Sequence, residues 1–183
     1  VLATTFGWQA IFRSVSVLLV LWAVVFFLTA RNSPDVARPK GLGEMVRVLR
    51  HERLAWVLSA FYGLTFGGFV AFSIYLPTLL RDQFHLTSTS AGFRTAGFVV
   101  LATLVRPVGG WLSDRIGGAK VLSVVFFGIV PFSLLLAWPS MIPFTAGALG
   151  FAALLVLGNG AVFKLVPQYF KKDTCTVTGL VGA

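Results

Sequence analysis

The sequence predicts an all-α, polytopic membrane protein, and three observations predict it. Of its 183 residues, 57% are hydrophobic and only 11% charged, whereas soluble domains carry about 25% charge. The mean hydropathy is +0.88. The apolar residues collect in runs of about 20, the length that crosses a hydrocarbon core as a helix. The short alternating segments of a membrane β-barrel are not visible.

The runs and their breaks give the elements in order. A first span covers about 11–30. A polar stretch at 31–53 follows, rich in arginine and broken by Pro34 and Pro39. Its later part, GEMVRVLRHERL, has a helical rhythm suited to the membrane surface. The second span covers about 54–80 and ends at the polar link RDQFHLTSTSAG. The third covers about 93–112 and the fourth about 121–138, separated by SDRIGGAK. Trp138, Pro139 and Ser140 make a tight turn into a long fifth span, about 142–166. The link PQYFKKDT then leads to the opening of a sixth, TVTGLVGA. The chain begins without Met and stops inside an apolar run, so a piece of a longer protein is expected.

Basic residues set the expected orientation. The connection at 31–53 holds Arg31, Arg38, Lys40, Arg47, Arg50 and Arg53, the turn at 113–120 holds Arg115 and Lys120, and the link at 167–174 holds Lys171 and Lys172. All three fall on one side of the membrane, which the positive-inside rule makes cytoplasmic. The other side has Arg81 and His85. Lys164 lies near the cytoplasmic end of its span, from which it can snorkel to water. The net charge of +9 follows from this topology. Nucleic-acid binding is not expected, because the basic residues are scattered over short loops rather than gathered on one face.

Catalysis is not expected either. No His, Asp or Glu falls in the middle of a span, so no nucleophile–base pair forms at membrane depth. The single cysteine, Cys175, forms no internal disulfide, and no Cys/His cluster has metal-ligand spacing. Neither a metal nor another cofactor is called for, and His51 and His85 read as solvated.

Arg106 is the residue that sets the function. It lies inside the run FRTAGFVVLATLVRPVGGWL. A guanidinium keeps its charge at any accessible pH, and an intramembrane charge marks a functional site by default. Its planar fork of donors suits an anion. Tyr62 and Phe66 are spaced i, i+4 and share one helical face. Without Arg106 they would read as packing. Asn159 is an amide in an apolar helix, bonding a neighbour or shaping the cavity, and it joins Arg106, Tyr62 and Phe66 as a candidate substrate-binding residue. Arg94, near the outer end of its span, faces the outer water or draws anions inward. Many glycines lie within the spans, where small residues let helices approach closely.

The segment Gly110-Trp111-Leu112-Ser113-Asp114-Arg115-Ile116-Gly117-Gly118-Ala119-Lys120 resembles the loop motif of the major facilitator superfamily, G-x-L-a-D-r-x-G-r-k. Asp114 ends a helix whose dipole disfavours an anion, so it needs a cation from Arg115 or from a neighbouring helix. Gly110, Asp114, Arg115, Gly117 and Lys120 are thus candidates for a latch on the cytoplasmic face. Gly118 departs from the motif, standing where a basic residue is usual. Gly7-Trp8 with Phe12 resembles the family's G-W-x-x-x-F opening of helix 6. On that resemblance residues 1–30 close an N-terminal half, 31–53 form the central cytoplasmic loop, and 54–183 form helices 7 to 10 and the start of helix 11 of a C-terminal half.

Within the superfamily, Phe66-Gly67-Gly68-Phe69, Arg106, the string GNGAVFKLVP from Gly158 to Pro167, and Thr176-Val177-Thr178-Gly179-Leu180-Val181-Gly182 together resemble the nitrate/nitrite porters. The resemblance implies a monomeric carrier in a bacterial inner membrane, moving nitrate or nitrite by alternating access. It implies that Arg106, with a second arginine from the other half, holds the anion, and that Tyr62 and Phe66 line the site. A carrier of another small organic anion is the alternative. The acids Asp35, Glu44, Glu52, Asp82, Asp114 and Asp173 all fall in loops or at helix ends. A proton-coupling group therefore lies in the other half, or protons move with anion and water, or nitrate exchanges for nitrite. The helix 10 wording resembles the proton-coupled branch more than the exchangers.

Overall fold

A computed structural model describes residues 7–31, Gly43, Val46 and 50–182. No strand occurs among them. The chain divides into two compact units, residues 1–40 and 41–183. Most of the connection at 31–53, including Pro34, Asp35, Arg38, Pro39, Lys40, Glu44 and Arg47, lies outside the described residues, and of the expected surface helix only Gly43, Val46 and 50–54 are described.

The first unit holds α1, Trp8–Thr29. From Val17 to Leu28 it is apolar around its circumference, as a helix surrounded by lipid or other membrane helices must be, while Gln9, Arg13, Ser14 and Ser16 lie in its first turns. Gly7 precedes it with φ 77°, a left-handed value that favours glycine.

The second unit holds α2 (Arg53–Phe84), α3 (Ser88–Ile116), α4 (Gly118–Leu136), α5 (Met141–Tyr169) and the short α6 (Thr174–Gly182). With α1, the first four of these are long and apolar enough to cross a membrane. α2, α3 and α5 extend beyond both ends of the apolar runs that predict them, because polar end residues complete turns that hydropathy alone does not register; α1 and α4 start earlier than expected and stop at Thr29 and Leu136, short of the expected 30 and 138. α2 ends at His85, in the left-handed conformation with φ 50°. Thr87 caps α3 by accepting the Ser90 N–H at 3.3 Å. Gly117, at φ 92°, stops α3 and starts α4.

Within α2 one turn is wide. Residues Gly63–Gly67 form a π-type turn, in which N–H groups reach back five residues rather than four. The run GLTFGG supplies three glycines there, and glycine holds a regular helix weakly.

α5 is the central helix of the second unit, with buried residues along its length from Phe144 to Val166. Two apolar clusters surround it. One holds Phe69, Leu76, Phe98, Phe144 and Leu155. The other holds Leu58, Val121, Val125, Val162 and Val166. They meet at the level of residues 157–160 of α5, opposite the wide turn of α2.

α3 and α5 touch backbone to backbone at this level. A Cβ on Gly109 would stand 2.4 Å from the Leu157 carbonyl oxygen, and one on Gly160 would stand 2.7 Å from the Gly110 nitrogen. Neither obstacle is a movable side chain. Gly109→Ala and Gly160→Ala should therefore each destabilise the purified full-length protein by about 1–3 kcal/mol, as overpacking does. Gly92, with open space around it, is the control: Gly92→Ala should leave the melting temperature unchanged.

Candidate functional site

Arg106 sits ten residues before the end of α3, about 15 Å along the axis from its basic end. Pro107 follows directly. Proline brings no N–H, so the Thr103 carbonyl loses its helical donor at this point. The stripe that packs α3 is Ala91, Phe98, Ala102, Gly109 and Ser113. Arg106 flanks this stripe, so its backbone sits at the crossing with α5 while its side chain is exposed.

The guanidinium stands over the ring of Phe66, with Cζ 6.0 Å from the ring centroid. A cation within about 6 Å of a ring face is attracted by the ring's quadrupole. Phe66 stacks on Tyr62, centroids 5.2 Å apart and planes 9° from parallel. Positions i and i+4 of a regular α-helix are offset by about 40° around the axis. The wide turn between Tyr62 and Phe66 reduces that offset, and the two rings lie flat on one another. Tyr62 also meets Phe163 of α5 edge-on at 4.9 Å. Arg106, Phe66, Tyr62 and Phe163 form a continuous file.

Phe163 is not among the residues that sequence reasoning selects. The signal for it lies in the spacing Asn159 to Phe163, one turn along the helix string, but only contact with Tyr62 distinguishes it from packing. A Cβ on Gly182 of α6 would touch the Phe163 ring at 3.7 Å, so this ring lies between α2 and α6.

Asn159 is 3% exposed and Thr65 fully buried. The Thr65 Oγ1 and Asn159 Oδ1 are 2.7 Å apart. Asn159 therefore bonds the neighbouring helix α2, and its contact is to Thr65 rather than to Arg106. Gly158 beside it leaves room for Thr65 and Val125. Its flanking glycines thus serve different neighbours: Gly158 faces α2 and α4, and Gly160 faces α3.

At the basic end Asp114 forms an ion pair with Lys164 of α5. The cation that Asp114 needs comes from a neighbouring helix. Arg115 turns instead to the Trp111 ring, its Cζ 4.1 Å from the centroid. Lys164 engages Asp114 rather than simply snorkelling. Gly117 serves backbone geometry at the turn, with φ 92°, while Gly110 places its backbone nitrogen against Gly160 with open space on its own side. Gly118 is also explained, since a Cβ there would meet Leu165 at 2.8 Å and the Ala161 carbonyl oxygen at 3.1 Å. Lys120 is exposed in the first turn of α4.

Other features stand apart from this file. Arg94 borders a groove of about 400 Å³ with Leu76, Phe98 and Phe144. A cavity of about 590 Å³ among α2, α4 and α5 has no charged residue in its lining, so it lacks what an anion needs. Among the described residues no cluster of His, Cys, Asp or Glu could hold a metal ion.

The fold and this arrangement define a multi-pass helical membrane protein in which Arg106 lies at a helix crossing and the Asp114–Lys164 pair at a helix end. The pattern described as Major Facilitator Superfamily matches residues 1–182, and the chain belongs to that superfamily. It is 38% identical to the Nitrite extrusion protein of Bacillus subtilis (strain 168), over all of this chain and 46% of that protein. It is also 38% identical to the Probable nitrate transporter NarT of Staphylococcus epidermidis, over 100% of this chain and 47% of that one. The NarT of Staphylococcus haemolyticus is 36% identical over 99% of this chain and 47% of its own length. The chain spans about half the length of these curated relatives. No solved structure matches it significantly. Helices and relatives together place the protein in the bacterial plasma membrane.

The Asp114–Lys164 pair generates a test. Their side chains are 53% and 40% exposed, and exposed pairs contribute little. A double-mutant cycle with Asp114→Asn and Lys164→Met, read as unfolding free energy of the purified protein, should give a coupling of about 0.5 kcal/mol. Strictly additive effects would contradict the pairing.

Proposed function

We propose that the protein is a secondary transporter that moves nitrate, and nitrite as a close analogue, across the plasma membrane by alternating access. The observation that carries this reading is Arg106: a permanent cation within a spanning helix, over one aromatic ring and in line with two more. The names of the relatives, a nitrite extrusion protein and nitrate transporters, support the choice of anion.

In this reading Arg106 holds the anion through its paired N–H donors, which match a planar oxyanion. Phe66 covers the flat face, and the Tyr62 hydroxyl donates to an oxygen. Asn159 belongs to the site through Thr65, not by touching the anion. Residues 1–30 close the N-terminal half, 31–53 form the central cytoplasmic loop, and 54–183 belong to the C-terminal half. The other half supplies a second arginine. The carrier acts as a monomer, with the lipid bilayer around it and without cofactor. Loops 31–53, 113–120 and 167–174 face the cytoplasm.

The latch forms at the cytoplasmic face. Asp114 exchanges partners there, held by Lys164 in one state and released to the other half in the next. Gly110 and Gly117 shape the latch, with Arg115 and Lys120 at its edge. Two couplings suit the chain, since its acids in the described region, Glu52, Asp82, Asp114 and Asp173, sit outside helices or in their last turns. One is proton symport with the proton carried in the other half or alongside the anion. The other is nitrate/nitrite exchange, which needs no protonatable group.

Uptake of isotopically labelled nitrate into proteoliposomes tests the reading. The full-length protein should accumulate label when driven by an inward proton gradient or by internal nitrite, and which gradient works separates the couplings. Arg106→Lys keeps the charge and loses the fork. It should lower uptake about tenfold or more, the scale of a lost hydrogen bond to a charged group. Undiminished uptake in that variant sinks the two-pronged grip, and transport of another small anion in preference to nitrate would reassign the substrate.

A further inference from the structure

The wide turn of α2 and the buried amide of α5 occupy the same level of the protein, and no role in anion binding accounts for either. Three acceptors surround the Thr65 hydroxyl: the Asn159 Oδ1 at 2.7 Å, the Phe61 carbonyl at 2.9 Å and the Tyr62 carbonyl at 3.3 Å. A hydroxyl has one proton and serves one of them. Meanwhile the Asn159 Nδ2 is buried with no hydrogen-bond partner among the described residues. Exchanging the amide's oxygen and nitrogen, which are assigned from the hydrogen-bond network, frees the Thr65 proton for a carbonyl and leaves the carbonyl-type Oδ1, rather than an N–H donor, as the atom without a partner. Nδ2 then donates to the Thr65 oxygen, and the Thr65 hydroxyl donates to Phe61. The result is a directed chain from α5 through Thr65 to the backbone one turn before Phe66.

This chain lies at a seam. On one side of it α2 and α5 pack through Leu58, Val162 and Val166, on the other through Phe69, Leu155 and Phe144. Gly158 is obligatory here, because a Cβ would stand 2.9 Å from Thr65 Cγ2 and 3.2 Å from Val125 Cγ1. The burial of Phe69, Leu76 and Leu80 after the turn depends on the phase that the wide turn gives α2, and the directional bond to Thr65 acts inside the turn itself. Closing the wide turn to a regular one would rotate Phe66 relative to Tyr62 and carry its ring away from Arg106.

We infer that Thr65 and Asn159 are positioning residues: their buried hydrogen bond holds the wide turn of α2, and the turn holds the Tyr62–Phe66 wall against Arg106. The inference rests on the proposed anion site and names two residues that set its geometry without touching the anion. Loss of the bond loosens the grip on the anion more than it slows the carrier's cycle.

Four full-length proteins in proteoliposomes test this: wild type, Thr65→Val, Asn159→Leu and the double variant, with Thr65→Ser as a fifth. Thr65→Val exchanges a hydroxyl for a methyl of similar size, so folding is retained. Each single variant should raise the KM for nitrate about tenfold, with maximal rate per folded protein changed less. The double variant should be no worse than the worse single, and Thr65→Ser should behave as wild type. Multiplying KM effects in the double variant, or lowered yield with an unchanged KM, would overturn the inference. If wild type moves no nitrate, the proposed function fails first. The melting temperatures of the same proteins then still test the bond, and additive losses would show that Thr65 and Asn159 act separately.

Discussion

The backbones of α3 and α5 meet directly where they cross, and the placement of the polar groups in the candidate site follows from that contact. Gly109 and Gly160 bring the two backbones together with no side chain between them. Small residues permit such contact in lipid, where helix association depends on van der Waals packing rather than on hydrophobic exclusion. Once the crossing is set, the register of α5 is set with it. Gly158 then faces α2 and α4, Asn159 reaches Thr65, Phe163 meets Tyr62 and Lys164 meets Asp114. Seven residues of one helix thus address three neighbours and both ends of the site.

Electrostatics divides the site along the same axis. At the basic end Asp114 lies where the dipole of α3 disfavours an anion, and Lys164 offsets the penalty from across the crossing. Arg115 is left to stack on Trp111, where a planar cation gains from the ring without needing an acid. About two turns further in, Arg106 has an aromatic face beside it. No ion pair to Arg106 is found among the described residues. A ring stabilises a guanidinium far less than a carboxylate does, so the cation retains most of its capacity to bind an anion. This contrast, with one cation neutralised near the membrane surface and one kept available within the span, supports Arg106 rather than Lys164 as the anchor in the proposed site.

Much of the fold is legible from hydropathy because membrane spans follow from length and apolarity, and all five appear as helices. Their ends are less legible, since Arg81, Asp82 and Asp114 complete helical turns in spite of their charge. The motif containing Asp114 points to a cationic partner, yet two candidates satisfy the pattern, and only the register of α5 selects Lys164. Tyr62 and Phe66 are legible as sharing a face. The wide turn that stacks them is not, because GLTFGG permits a π turn without requiring one. Phe163 and Thr65 escape notice for a common reason: each resembles ordinary packing until its partner, on a helix about a hundred residues away, is known. Asn159 falls between these cases, conspicuous as an amide in an apolar run but silent about which neighbour it bonds.

The amide also bears on how such a bundle can move. The two apolar clusters of the second unit are separated at one level only, and at that level α2 has its wide turn, α3 has Pro107 just after Arg106, and α5 has two glycines around Asn159. Each departure weakens its helix at the same depth: a lengthened turn, a missing N–H, a pair of residues with no side chain to resist bending. Bending concentrated there would move the block around Phe69, Phe98 and Phe144 against the block around Val121, Val162 and Val166 while leaving the packing inside each unchanged. The Thr65–Asn159 bond crosses between α2 and α5 at that level, where such bending would displace it least. A hydrogen bond tolerates little stretch, so a pivot is the position at which it can persist through such a motion and keep the aromatic wall in register with the arginine.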